Sequence, residues 1–122
     1  MSRIIGIGTD IVETERVLKY CEKERFLKKY YTEAERQLIE KRKSRAATNF
    51  AGKEAVVKAF GTGFLNCMPG DIEILRDEDG KPYVNLLEKA EKIAEGKGIT
   101  KIHISLSDTD TLAVAYVIAE GD

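Results

Sequence analysis

Three charged side chains sit in apolar surroundings: Asp10, closing the stretch RIIGIGTD, and Glu54 and Lys58, inside NFAGKEAVVKAFGTG at residues 49–63. Glu54 and Lys58 are four positions apart, which makes them neighbours on one face of a helix. Two carboxylates with no soft ligand beside them are the set that holds Mg²⁺, with water and phosphate oxygens completing the shell. A lysine next to them supplies a point charge for a phosphate. The plainer alternatives stay open: an ordinary i,i+4 ion pair worth a few tenths of a kcal/mol, and Asp10 as a helix N-cap ahead of residues 13–29. Phe50, Val57 and Phe60 fall on one arc and are expected to face the core. Ala47, Ala51 and Ala55 are expected to flank the charged face and leave it in a depression.

Other polar groups carry weaker signals. Gly61-Thr62-Gly63 could let backbone N–H groups approach a phosphate, or simply end the helix. It is not a Walker loop, because the lysine precedes the glycines and no GK[ST] follows. Alternation places His103, Ser105 and Ser107 on one face of a strand, with Ile102, Ile104 and Leu106 on the other. These serines lack an adjacent base, which excludes serine-hydrolase chemistry. His103, the sole histidine, is expected to be a hydrogen-bonded structural group and excludes a multi-histidine zinc site within one chain. Cys21 and Cys67 are isolated and fit free thiols of a reducing cytoplasm.

The elements that position these groups follow from pattern. Residues 3–12 are β-branched and glycine-punctuated, a buried strand whose Gly6 and Gly8 leave room for another backbone or a ligand. Charged segments at about 13–29 and 33–43 follow, the second opened by a Thr32/Glu35 capping box. The Glu54 helix is expected from about Ser44 to Phe60. IEILRDEDGKPYVNL forms a hairpin around Asp79-Gly80, Leu86 to Glu95 a short helix, and KIHISLSDTDTLAVAYVIAE two strands about Asp108–Thr111. This order predicts one compact α+β domain over residues 1–122, an antiparallel sheet packed with helices.

Composition narrows the class. Apolar residues at 43% and charged residues at 34% are ordinary for a globular protein. No apolar run approaches the roughly 20 residues of a membrane span, and the start has no signal-peptide pattern. Residues 1–65 hold 14 Lys+Arg against 9 Asp+Glu, whereas residues 66–122 hold 6 against 12. That asymmetry suits an acidic partner or a phosphate-bearing ligand, and equally a lysine-rich set of helices. KRKSR at 41–45 raises a nucleic-acid reading, but no stacking aromatics accompany it and net charge is −1. A purely structural trimeric protein would explain the apolar strands but not the three charges.

Taken in order, GIGTDIV, NFAGKEAVVKAFGTG, DGKPY and HISLSDTDTLAVAYV resemble the holo-acyl-carrier-protein synthases, the AcpS-type 4′-phosphopantetheinyl transferases, over essentially the whole chain. The resemblance implies Mg²⁺-dependent transfer of the 4′-phosphopantetheine arm of coenzyme A to a serine of an apo-acyl carrier protein, releasing adenosine 3′,5′-bisphosphate, for fatty acid biosynthesis. It implies metal ligation by Asp10 and Glu54 and a phosphate contact by Lys58. A homotrimer with interfacial sites is implied too, in which Gly80, Lys81, Pro82 and the Ser107 region of a neighbouring copy hold the adenine-ribose end. Arg16 matches a carrier-docking arginine of the family, and Lys23, Arg25, Lys28 and Lys29 share its segment. One departure stands out: Asp108 occupies the place where the family commonly has histidine after the S-x-S of the penultimate strand, so no phosphate-binding role transfers to it. Two expectations stay open for Asp108: capping the turn through its side chain, or approaching a metal.

Overall fold

Alternating isoleucine and glycine build the first strand, β1 (Arg3–Glu13), which runs three residues past Asp10 rather than ending there. The computed structural model describes residues 2–122. After β1 come α1 (Thr14–Tyr20), α2 (Glu24–Tyr30), α3 (Glu33–Lys41) and the long α4 (Ser44–Phe60). A hairpin follows, β2 (Ile72–Arg76) and β3 (Pro82–Leu86), then α5 (Glu88–Gly96) and the closing pair β4 (Ile99–Asp108) and β5 (Leu112–Gly121). The charged segment 13–29 is thus two helices broken at Cys21–Lys23, with no glycine or proline to announce the break. The Thr32/Glu35 capping box is formed in full.

The main sheet has the order β1-β5-β4, antiparallel throughout, so β1 is an edge strand. Its inner face packs on α4, with Ala113, Ala115, Val117 and Ala119 of β5 all buried there. Small residues on β5 and glycines on β1 let helix and sheet close to backbone contact. A Cβ on Gly8 would lie 1.9 Å from the Ala55 carbonyl oxygen, and one on Gly6 2.0 Å from that of Ala59. Of the two readings of these glycines, approach of another backbone is the one observed.

The outer face of the same sheet has no helix across it. Register aligns Ile7 with Ile118 and His103, Thr9 with Tyr116 and Ser105, and Ile11 with Val114 and Ser107. Ile7, Ile11 and Tyr116 are exposed there, at 57%, 61% and 47%. The predicted alternation of β4 is observed, with His103, Ser105 and Ser107 outward.

Helix α4 is buried around most of its circumference. Beyond Arg45, only Phe50, Glu54 and Lys58 escape full burial, and their i, i+4, i+8 spacing is a single stripe. Phe50 shares this stripe yet packs, half-buried, against the cluster of Val17, Tyr31 and Ala47, whereas Val57 and Phe60 are core, each 2% exposed. Ala47, Ala51 and Ala55 are fully buried, serving close packing and not the walls of a depression.

Lys53, one position before Glu54, is also fully buried. Its ammonium donates to Glu35 Oε1 at 2.7 Å, to the Pro69 carbonyl at 2.9 Å and to the Ile72 carbonyl. Three acceptors require three N–H donors, so the lysine is an ammonium. Glu35 in turn accepts from Lys53, the Thr32 N–H, Asn49 Nδ2 and the Ile74 N–H. Burial pushes the carboxyl up and the amine down, but four donors fill the carboxylate's lone pairs and keep it ionised. The pair bolts α3, α4, β2 and the Pro69–Asp71 turn together.

Candidate functional site

Asp10 lies on the helix-facing side of β1, two residues beyond the Gly8–Ala55 contact. That contact brings it to the solvent-reaching stripe of α4. Lys58 Nζ donates to Asp10 Oδ1 at 3.1 Å and to the Thr9 carbonyl at 3.0 Å. The Asp10 side chain is only 16% exposed, against 54% for Lys58. Asp10 and Glu54 share a cleft of about 430 Å³ whose other walls include Val12, Arg16, Tyr20 and Phe50. The charged depression expected from the sequence exists, but aromatic and β-branched side chains build it, not the alanines.

Burial, then the charge of Asp10, pushes the Glu54 carboxyl above its usual range, while Tyr30 and Lys58 pull it back. A carboxyl whose ionisation a neighbouring carboxylate opposes invites a cation beside it. Among the described residues no third His, Cys, Asp or Glu joins them. A pair of carboxylates with room for water and phosphate oxygens suits Mg²⁺, which dehydrates reluctantly and takes few protein ligands. Tyr30, on α2, donates to Glu54 Oε1 at 3.4 Å; burial and the neighbouring carboxylates push its phenol up to about 12, so it stays a donor.

Arg16, on α1, lines this cleft and a larger groove of about 1030 Å³ between α1, α2 and α3. Its Nε donates to Tyr20 Oη at 2.8 Å. Lys28 also lines the groove and pairs with Glu24 at 3.1 Å. Lys23, exposed at the start of α2, lines neither the groove nor the cleft, and the same holds for Arg25 and Lys29.

The remaining sequence candidates lie elsewhere in the chain. Gly80 and Lys81 sit in the β2–β3 turn, where Asp77 Oδ1 accepts from the Asp79 and Lys81 N–H groups, each at 2.9 Å. Pro82 begins β3. Ser107 lies on the outer sheet face, opposite in the layer to Asp10. Within one chain none of the four meets the Asp10 cleft. The turn after β4 is capped by Thr109, whose Oγ1 accepts from the Thr111 and Leu112 N–H groups at 3.3 and 3.0 Å. Asp108, expected to make such a contact, does not. Gly61 ends α4 with φ +80°, the helix-stop reading of Gly61-Thr62-Gly63. His103 bonds Glu120 Oε1 at 2.7 Å.

Sequence reasoning missed Tyr30 and the Glu35–Lys53 bolt. The capping box named Glu35 but not its burial, and nothing near Tyr30 in the chain points to Glu54.

Comparison with known proteins bears on this geometry. Residues 6–117 match the model of the 4′-phosphopantetheinyl transferase superfamily. The chain is 53% identical, over 96% of both lengths, to a holo-[acyl-carrier-protein] synthase of Lachnoclostridium phytofermentans. Its fold matches the ADP-bound acyl carrier protein synthase of Plasmodium yoelii with TM-score 0.89 and 36% identity, over 100% of this chain and 98% of that one. It also matches the Helicobacter pylori holo-[acyl-carrier-protein] synthase in complex with coenzyme A, TM-score 0.82 and 29% identity, over 93% and 98%. With the α+β architecture and a carboxylate-lined cleft already in place, the chain belongs to the 4′-phosphopantetheinyl transferase superfamily, among its holo-[acyl-carrier-protein] synthases.

Proposed function

We propose that this protein transfers the 4′-phosphopantetheine group of coenzyme A to a serine of an apo-acyl carrier protein in a Mg²⁺-dependent reaction, in the cytoplasm, serving fatty acid biosynthesis. The observation that carries the reading is the cleft that Asp10 and Glu54 line together, with Lys58 bonded to Asp10. Solved relatives carrying coenzyme A or ADP support the substrate class.

In the reaction the serine Oγ attacks the phosphorus that bears the pantetheine arm. The new P–O bond forms as the bond to adenosine 3′,5′-bisphosphate breaks. Asp10 and Glu54 would hold Mg²⁺, which when bound would supply charge neutralisation of the pyrophosphate and of the leaving phosphate. Lys58 turns from Asp10 to the transferred phosphoryl group and stabilises its charge. A water ordered beside Asp10 and Glu54 takes the serine proton, with one of the two carboxylates as its base. Positioning and charge suffice for such a transfer, so few residues are needed.

Gly80, Lys81, Pro82 and Ser107 hold the adenine-ribose end from a neighbouring subunit of a homotrimer. Two observations support this: these residues avoid the chain's own cleft, and the outer sheet face offers Ile7, Ile11 and Tyr116 uncovered. Arg16 and Lys23 receive the acidic carrier protein, with Arg16 at the mouth shared by cleft and groove.

The test is intact-mass analysis of an apo-acyl carrier protein incubated with this protein, coenzyme A and Mg²⁺, beside a chelator control. A phosphopantetheine mass shift seen only with metal is expected. No shift, and no binding of coenzyme A, would remove the reading.

A further inference from the structure

Tyr30 and Tyr31 are consecutive yet do different work. Tyr31 is 1% exposed and its Oη donates to the Ala46 carbonyl at 2.8 Å, which pins the end of α2 to α4. Tyr30 points to the other side of that junction. Its ring is stacked on Phe26 (centroids 4.5 Å apart, 18° between planes) and on Phe50 (5.0 Å, 7°). A tyrosine packed on two aromatic rings that also touch each other, 6.5 Å between centroids, and anchored through its neighbour has little freedom of χ1 or χ2. Its hydroxyl is therefore aimed by the fold, and it is aimed at Glu54 Oε1, 3.4 Å away.

From this arrangement we infer that Tyr30 is a positioning residue for the metal-binding carboxylate: by occupying Glu54 Oε1 with a fixed phenol donor, it turns Oε2 toward the cation that Asp10 shares. The inference rests on the Mg²⁺ reading given above. Glu54 has three side-chain torsions and lies on a helix stripe that reaches solvent, so without a second contact its carboxylate samples several rotamers. Lys58, which could restrain it, is instead committed to Asp10 and the Thr9 carbonyl. Hydrogen bonds to ligating carboxylates orient them, and losing such a partner weakens metal binding by about tenfold or more. The length of this bond places the expected loss at the low end of that range.

Tyr30→Phe removes the hydroxyl and keeps the ring packed on Phe26 and Phe50. The probe is Mn²⁺, titrated by electron paramagnetic resonance into the full-length protein with coenzyme A present. Wild type is expected to bind, and Tyr30→Phe to bind about tenfold more weakly, with coenzyme A affinity in chelator unchanged. In a Glu54→Gln background the same substitution is expected to add nothing, because the orientation it controls is gone. Equal Mn²⁺ affinity for wild type and Tyr30→Phe overturns the inference while leaving the metal reading intact. So does the same loss in both backgrounds, which would mark a general structural effect. Failure of wild type to bind Mn²⁺ overturns the metal reading and this inference with it.

Discussion

Glu54 and Asp10 line one cleft, and Lys58 neutralises Asp10 through a bond of 3.1 Å. Glu54→Gln is expected to abolish Mg²⁺-dependent turnover with the melting temperature held or raised, since burial and Asp10 both oppose its charge; full retained turnover would remove it as a ligand. Asp108→His should lower the KM for coenzyme A by about two- to fivefold, the scale of one exposed charge contact, with kcat nearly unchanged. The steady-state KM of the two proteins at fixed ionic strength checks it. The charges of Asp10, Glu54 and Lys58 were legible in sequence because each interrupts an apolar run, an expense that asks for a reason. Tyr30 was not legible: its relation to Glu54 spans 24 positions and depends on how α2 docks. Lys53 stood in the same apolar run, and only the depth of α4 separates its buried role from that of Lys58.

At the scale of elements, two contacts set where α4 stands. The glycines of β1 fix its distance from the sheet, and the Glu35–Lys53 bolt fixes its rotation. Asn49 and Lys53, four positions apart, hold the inward line, which presents Phe50, Glu54 and Lys58 about a quarter turn away. Gly8→Ala would force Ala55 off β1, since the added Cβ would lie 1.9 Å from a carbonyl oxygen. Separating Asp10 from Glu54 by even about 1 Å is expected to cut kcat by about 100-fold, read at saturating substrates in folded protein. Lys53→Met leaves a buried carboxylate unpaired and should cost about 3–5 kcal/mol, seen as a lower midpoint in urea. The strands and hairpin were legible because alternation and Asp-Gly are local signals. The break at Cys21–Lys23 was not, because the helices part there for packing, on either side of a turn with no breaker residue.

The whole molecule has two faces with different needs. One carries Arg16 and the groove between α1, α2 and α3, and there Arg16→Glu should raise the KM for the carrier protein more than the affinity for coenzyme A changes; equal effects would refute docking. The other is the uncovered sheet face, where β5 turns its small residues inward and Val114, Tyr116 and Ile118 outward. Tyr116→Glu is expected to give a monomer by sedimentation, with turnover lost although the Asp10 cleft is intact. If that outward row on β5 joins copies of the chain, the protein's output becomes a matter of how much of it there is. If each cleft borrows its nucleotide contacts from a neighbour, diluting the enzyme dismantles active sites as well as spreading them out. Activity per milligram should then fall below a threshold concentration and return when the protein is concentrated again.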